Sequence, residues 1–461
     1  MNFSEQTDEF INPFLNSFGK CDKNKFSKIE NNAFQSILIS LYNDIHEANK
    51  TIFNAGCFKY TVLNKAAIKK PKDYSNKRYF PEIIQKYIKD NEQKQLLFSC
   101  GNVGNREINI HFTLFDESAI EKYIQHVRMM YMWLSICAKY AMKYCTNTLD
   151  VYVYPTPFTK NLPESTTTTL GPENVNTAFT QACAPKGQLI IFREEEWFKV
   201  FIHETFHTYG LDFSQSDISS MKKELISLYP IESDFDIYEA YTETWARIIN
   251  CALCSYNALE NKRDRKIFFK NLDFCLELER MFALYQCVKV IGFMGLTYDD
   301  LHAPNSHALR KGLYRENTHV FSYYVLTAVF LNDYQGFMLW CKEHNEVLLR
   351  FNSTPENFIT FTEYIKSVYN CIPLQNGIKY MSSLIKQHNN KKIKGTSISG
   401  SKGMSSLNPM ELGGENQRTL MSSLGGETPR ALMSSLGGET PFQTRVSSLG
   451  DTTRMSIIHT I

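Results

Sequence analysis

The chain has 461 residues, a formal net charge of +2 and 43% hydrophobic residues. That length admits two or three domains with a sizeable core, and the near-neutral balance gives bulk charge no role in selecting nucleic acid or an anionic membrane as partner. Met1 to Glu9 offers neither a basic nor an apolar signal region, and the apolar runs are too short or too interrupted to span a bilayer: Val320 to Leu331 falls short, and Lys289 breaks the run from Tyr285 to Met294. The expectation is a soluble, cytoplasmic protein without a signal peptide or transmembrane helix.

The 12 cysteines are too sparse for a small disulfide scaffold, so reduced thiols are expected. Cys251-Ala-Leu-Cys254 has neither a second CxxC nor a histidine pair to complete a tetrahedral site, and is read as two buried cysteines.

From the N-terminus, Asn12 to Asn54 is helical in pattern, with Phe34, Ile37, Leu38, Leu41 and Ile45 on one side. Gln95 to Cys100 and Glu107 to Phe115 are β-rich arms joined by the turn chemistry of Gly101 to Asn105, which predicts a hairpin. Glu117 to Cys145 reads as a long helix with a Met and aromatic core stripe. Leu149 to Tyr154 alternates as a strand until Pro155 and Pro157. A Thr, Pro and Gly-rich loop follows from Thr156 to Asn176, and Gly187 to Phe192 forms a strand that leads into the next helix.

That helix, Glu194 to Gly210, is predicted from three acids in its first turn and a glycine at its C-terminal cap. Phe198, Phe201, Ile202 and Tyr209 share an apolar face, and His203 and His207 project together from another. The pattern is HExxH. A four-residue helical step lets two imidazoles converge on one zinc ion, and the acid beside the first can take a proton from zinc-bound water. His203 and His207 are the candidate metal ligands and Glu204 the candidate catalytic base. The competing reading is a core or surface histidine pair flanking a solvated glutamate.

A catalytic zinc keeps three protein ligands. Continuation as HExxHxxGxxH would put the third at position 213, but Phe213 cannot bind metal. Tyr238 to Arg247, in a helix from Ile237 to Leu259, carries two acids four residues apart on one face. Glu239 is the candidate ligand, and Glu243 the residue that orients a ligand histidine. Two other roles stay open: Glu239 closing a capping box with Asp236, and Glu243 pairing with Arg247.

Phe268 to Gly295, Val320 to Phe351 and Asn357 to Gln387 continue as helices, so the C-terminal half is mainly α. After Asn389, Ser, Thr, Gly and charge dominate, and MSSLGGE-type units recur at Met404, Met421, Met433 and Val446. Single leucines in such surroundings cannot offset the entropy of ordering, so the tail is expected to be disordered, as an inert spacer or as peptides that dock a protein partner. Thr428 and Thr440, each before proline, are candidate phosphate acceptors.

With HExxH followed by the Glu239 helix, the chain resembles the gluzincin branch of the zincin metallopeptidases. The segments Asn174 to Thr180, Glu196 to Ile202 and Leu211 to Ser214 are also similar to uncharacterised zincin-like proteins predicted in large DNA viruses. The resemblance covers residues 149 to 255. It implies an α+β zincin-like fold, with a small twisted sheet over the HExxH helix and a mainly α C-terminal subdomain. Residues 1–145 would then be an α+β scaffold, 146–388 the metallopeptidase domain and 389–461 the disordered tail. It also implies an edge strand that aligns an extended peptide, for which Leu189 to Phe192 is the candidate. A Tyr or His should stabilise the oxyanion. Tyr229, Tyr241 and the group from Arg315 to Tyr324 offer such side chains, and His319 and Tyr323 are selected as catalytic candidates, with core or surface roles as the alternative. The expected function is zinc-dependent hydrolysis of a peptide or protein, in the host cytoplasm or virion if the chain is viral. The rival is a non-catalytic virion or scaffold component whose tail recruits partners.

Overall fold

The computed structural model describes residues 14–15, 17–54, 59–101, 103–116, 120–398 and 451–458. Its strands are β1 (Tyr60–Asn64), β2 (Lys94–Cys100), β3 (Glu107–Leu114), β4 (Thr148–Val153), β5 (Ala178–Thr180) and β6 (Lys186–Ile191). They form one mixed sheet in the order β1-β2-β3-β4-β6-β5. The helices that matter for the site are α1 (Lys28–Asn54), α2 (Glu82–Asn91), α3 (Ile120–Tyr140), α4 (Trp197–Tyr209), α5 (Ser219–Leu228), α6 (Ile237–Asn257) and α7 (Arg265–Phe293).

The expected hairpin is β2–β3, antiparallel with Leu96 opposite Phe112 and Phe98 opposite Ile110. Its turn needs glycine at 104: φ is +60°, and a Cβ there would meet Ala138 Cβ at 2.2 Å. From β3 the chain crosses over through α3 and returns as β4, parallel to β3, with Ile108 beside Leu149 and Ile110 beside Val151. The sheet therefore runs through the expected domain boundary at 145/146. Parallel strands need a crossover, and α3 is that crossover rather than the end of a separate scaffold.

Both faces of the sheet are covered, and period-two alternation assigns residues to each. Val151, Val153, Leu189 and Ile191 join the main core, whereas Tyr152, Tyr154, Ile190 and Phe192 pack with Phe80, Ile84 and Ile88 at α2. The HExxH helix α4 lies within the main core, and all of its residues are buried. Trp133 of α3 stacks on Phe206 and donates from Nε1 to Thr205 Oγ1 at 2.6 Å. A helix buried all round is a central one, so the polar groups it carries must be paired or functional.

The start of α4 departs from expectation. Glu194 to Glu196 precede the helix instead of forming its first turn, and Glu196 sits at φ +58°. All three carboxylates are engaged elsewhere: Glu194 by Lys122, Glu195 by the Lys160 amide at 2.7 Å, and Glu196 by Lys160 Nζ at 2.5 Å. The C-terminal end agrees with expectation, with Gly210 at φ +63° donating its amide to the last carbonyls. A Cβ at 210 would meet Cys145 Sγ at 2.8 Å.

The second half is helical, as expected. The helical stretch expected from Val320 begins with a π-helical turn, Phe321–Leu326, before the α-helix Thr327–Asn332. The last helix, Ile372–Ile398, continues past the predicted break at Asn389. The MSSLGGE-type units, Thr428 and Thr440 lie outside the described residues. Residues 451–458 correct the expectation of a disordered tail for that stretch. Thr452 to Ile457 are buried, because their main-chain groups find partners inside the fold.

Cys145 and Cys183 form a disulfide and Cys100 is disulfide-bonded, contrary to the expected reduced thiols. Cys251 and Cys254 are free and buried, as the sequence suggests. Among the described residues no helix is long and apolar enough to cross a membrane.

Candidate metal centre

Helices α4 and α6 cross so that the HExxH face of one meets the acidic face of the other. His203 Nε2 lies 3.2 Å from His207 Nε2 and 3.1 Å from Glu239 Oε2, and His207 Nε2 lies 3.5 Å from the same oxygen. Among the described residues these three form the one group of His, Cys, Asp and Glu side chains with donor atoms close enough to hold a metal ion. Ligand atoms about 2.0–2.1 Å from a tetrahedral zinc lie about 3.3–3.4 Å from one another, so this donor set fits such an ion in type and spacing.

Each imidazole also has a carboxylate behind it. His203 Nδ1 is 3.1 Å from Glu243 Oε2, and Lys199 Nζ donates to both oxygens of Glu243 at 2.8 and 3.0 Å. His207 Nδ1 is hydrogen-bonded to Asp212 Oδ2, while Asp212 Oδ1 accepts from the Ser214 amide at 3.1 Å and hydroxyl at 2.7 Å. With Nδ1 committed to a carboxylate, each ring presents Nε2 to the shared point. The other roles open to the two glutamates do not occur: the Glu239 carboxylate faces the histidines, and Arg247 pairs with buried Glu279, Nε to Oε2 at 2.7 Å.

Asp212 is not among the candidate site residues that the sequence offers, although its signal is local. Gly210 ends α4 in the left-handed region, which turns the chain back, and Asp212-Phe213-Ser214 closes an Asx-type turn that aims the carboxylate at the helix just left. Replacing Asp212 with Ala should weaken metal binding about 10–100-fold with the three ligands retained. Chelator competition measures this, and an unchanged affinity would remove Asp212 from the site.

Glu204 is buried at 8% exposure, so it is not the solvated glutamate of the competing reading. It lines a cavity with His203, Lys199, Ala178, Tyr323 and Met455. Burial pushes its carboxyl above the usual range, with His203 and His207 offsetting part of the rise. Burial would raise Glu239 as well, but His207 and His203 hold it well below the ordinary value. His207 moves the other way: burial lowers it, while Asp212 and Glu239 bring it well above. In the metal-free protein the three side chains therefore form a charge-assisted cluster.

Tyr323, on the π-helical turn, donates from its hydroxyl to Glu239 Oε2 at 2.9 Å. π-Turns recur at functional sites because the extra residue re-aims side chains. His319 stands further out, with Nδ1 3.9 Å from Asp236 Oδ2 and its ring 6.0 Å from that of Tyr323. Tyr229 and Tyr241 are core residues, bonded to Tyr298 and Asn345. The edge strand is also corrected: β6 is internal, paired on both sides, and the edge is β5, whose Ala178 lines the cavity. The three residues of β5 cover the Leu189 to Ile191 part of β6, since Ala178, Phe179 and Thr180 pair with Ile191, Ile190 and Leu189.

Comparison with family models, curated proteins and solved structures found no match to this chain.

Proposed function

We propose that the chain is a zinc-dependent peptidase of gluzincin type, with His203, His207 and Glu239 as ligands. The observation that supports this most is the convergence of three donor atoms within 3.1–3.5 Å of one another, beside the buried Glu204. Zinc held there would polarise a peptide carbonyl and lower the pKa of a water. Glu204 takes the proton of the attacking water and passes it to the leaving amine. The outer edge of β5, the last strand of the sheet, aligns the substrate main chain. Tyr323 donates its hydroxyl to the oxygen on which charge develops.

The test uses the purified full chain, with metal content measured by elemental analysis and cleavage of a peptide library read by mass spectrometry. Zinc-dependent cleavage that a chelator stops supports the proposal. Zinc binding without cleavage by any preparation favours the non-catalytic scaffold reading. Tyr323→Phe should lower kcat about 100-fold with metal content and KM little changed, as for loss of one oxyanion donor. An unaltered kcat, with His319→Ala deficient instead, would transfer that role to His319.

A further inference from the structure

The three acids before α4 have an unusual employment. The Glu196 carboxylate accepts the main-chain amides of Met455, at 3.2 Å, and of Ser456. Glu279 of α7 accepts the amides of Ile457 at 3.0 Å and Ile458 at 2.9 Å, together with the Ser456 hydroxyl. Several carbonyls of the same stretch are met too: Lys289 and Gln286 donate to that of Thr452, Gln286 also to that of Arg454, Tyr324 to that of Thr453, and Asn250 to that of Ile458 at 3.0 Å. Among the described residues, its sheet-like pairing is the isolated bridge of Asn161 with Thr452, where the Leu162 amide donates to the Asp451 carbonyl at 2.8 Å and the Thr453 amide to the Lys160 carbonyl at 3.0 Å. The body of the protein thus reads an irregular eight-residue stretch, bent at Met455 and Ile457, with buried polar side chains drawn from several elements.

We propose that these side chains form a peptide-binding groove and that residues 451–458 are its ligand, held in cis and separable from the body. Two observations carry this. First, the acceptor carboxylates keep cations of the body's own: Lys160 Nζ lies 2.5 Å from Glu196, and Arg247 lies 2.5 Å from Glu279. Burial alone would raise the Glu196 carboxyl, but Lys160 and Lys199 help hold it ionised, ready to accept amides. A groove whose charges are already compensated can persist when the peptide leaves, whereas lone buried carboxylates could not. Second, the segment adds its own matching charge, Arg454 Nε at 3.8 Å from Glu195, and follows in sequence the polar Ser and Gly-rich stretch 399–450.

The groove adjoins the candidate metal centre. Met455 Sδ is 3.8 Å from Lys199 Nζ, and Met455 lines the cavity shared by His203 and Glu204. Vacating the groove therefore enlarges that cavity. The ligand class is a short bent peptide of hydroxyl, basic and aliphatic residues, recognised chiefly through adjacent main-chain amides. The binding stands whether or not the neighbouring residues hydrolyse anything.

A recognition sequence for a site-specific endoprotease, placed between residues 425 and 445 of the full chain, allows the segment to be cut free. The C-terminal fragment should stay with the body in size-exclusion chromatography. A fluorescent peptide of residues 450–458 should then exchange into the groove while circular dichroism and melting of the body stay unchanged. The same peptide N-methylated at Ser456 and Ile457 should bind about 10–100-fold more weakly, because it loses amides that bond to charged acceptors. Immediate loss of the fragment with no binding of the peptide overturns the proposal. So does a fragment that never exchanges, or a body that unfolds as the fragment leaves, since the segment is then an integral part of the core.

Discussion

Glu204→Gln is expected to retain about one metal ion per chain and to lose about 10²–10⁴-fold in peptide hydrolysis, the usual span for removal of a general base. Glutamine keeps the volume of the buried side chain, and Glu204 is not one of the three converging donors, so metal affinity should hold. What disappears is the group that receives the proton. Elemental analysis and initial rates on a cleaved peptide measure both quantities in one preparation. Hydrolysis surviving in this variant would sink the proposed mechanism, while loss of metal would show Glu204 to be part of the metal-binding set.

His207→Ala should abolish both metal binding and hydrolysis, and it should also destabilise the metal-free protein. In that state His207 stands between two buried carboxylates, Asp212 at Nδ1 and Glu239 at Nε2. Removal leaves both without the imidazole, a situation that costs about 3–5 kcal/mol when a buried charge loses its partner. Thermal melting of wild type and variant, each stripped with a chelator, reads this cost. Equal melting temperatures would mean that the cluster is not charge-paired without metal. His207→Gln and Asp212→Asn combined remove the charges together and should recover part of the loss.

The HExxH helix, the Glu239 and Glu243 pair, the β2–β3 hairpin and the helical second half are all legible locally, because each depends on periodicity, turn chemistry or spacing within a few residues. Four features were not legible. The three acids before α4 look like a favourable helix start, yet they serve Lys122, Lys160 and the C-terminal segment. The β5 edge is only three residues long, too short for a period-two signal. Asp212 acts only because the chain turns back at Gly210. The segment 451–458 is polar and short, and nothing in its own composition announces a buried site.

By itself, then, the sequence determined which side chains can gather around a metal, since the four-residue spacings in α4 and α6 place them on helix faces whatever surrounds those helices. Only the tertiary structure decided that the two faces meet, which carboxylate stands behind each histidine, which strand is the edge, and that Met455 lines the same cavity as Glu204. Those outcomes rest on contacts between residues far apart in the chain. Local periodicity carries no record of them, because burial and pairing of a charged or polar group depend on partners that only folding brings together.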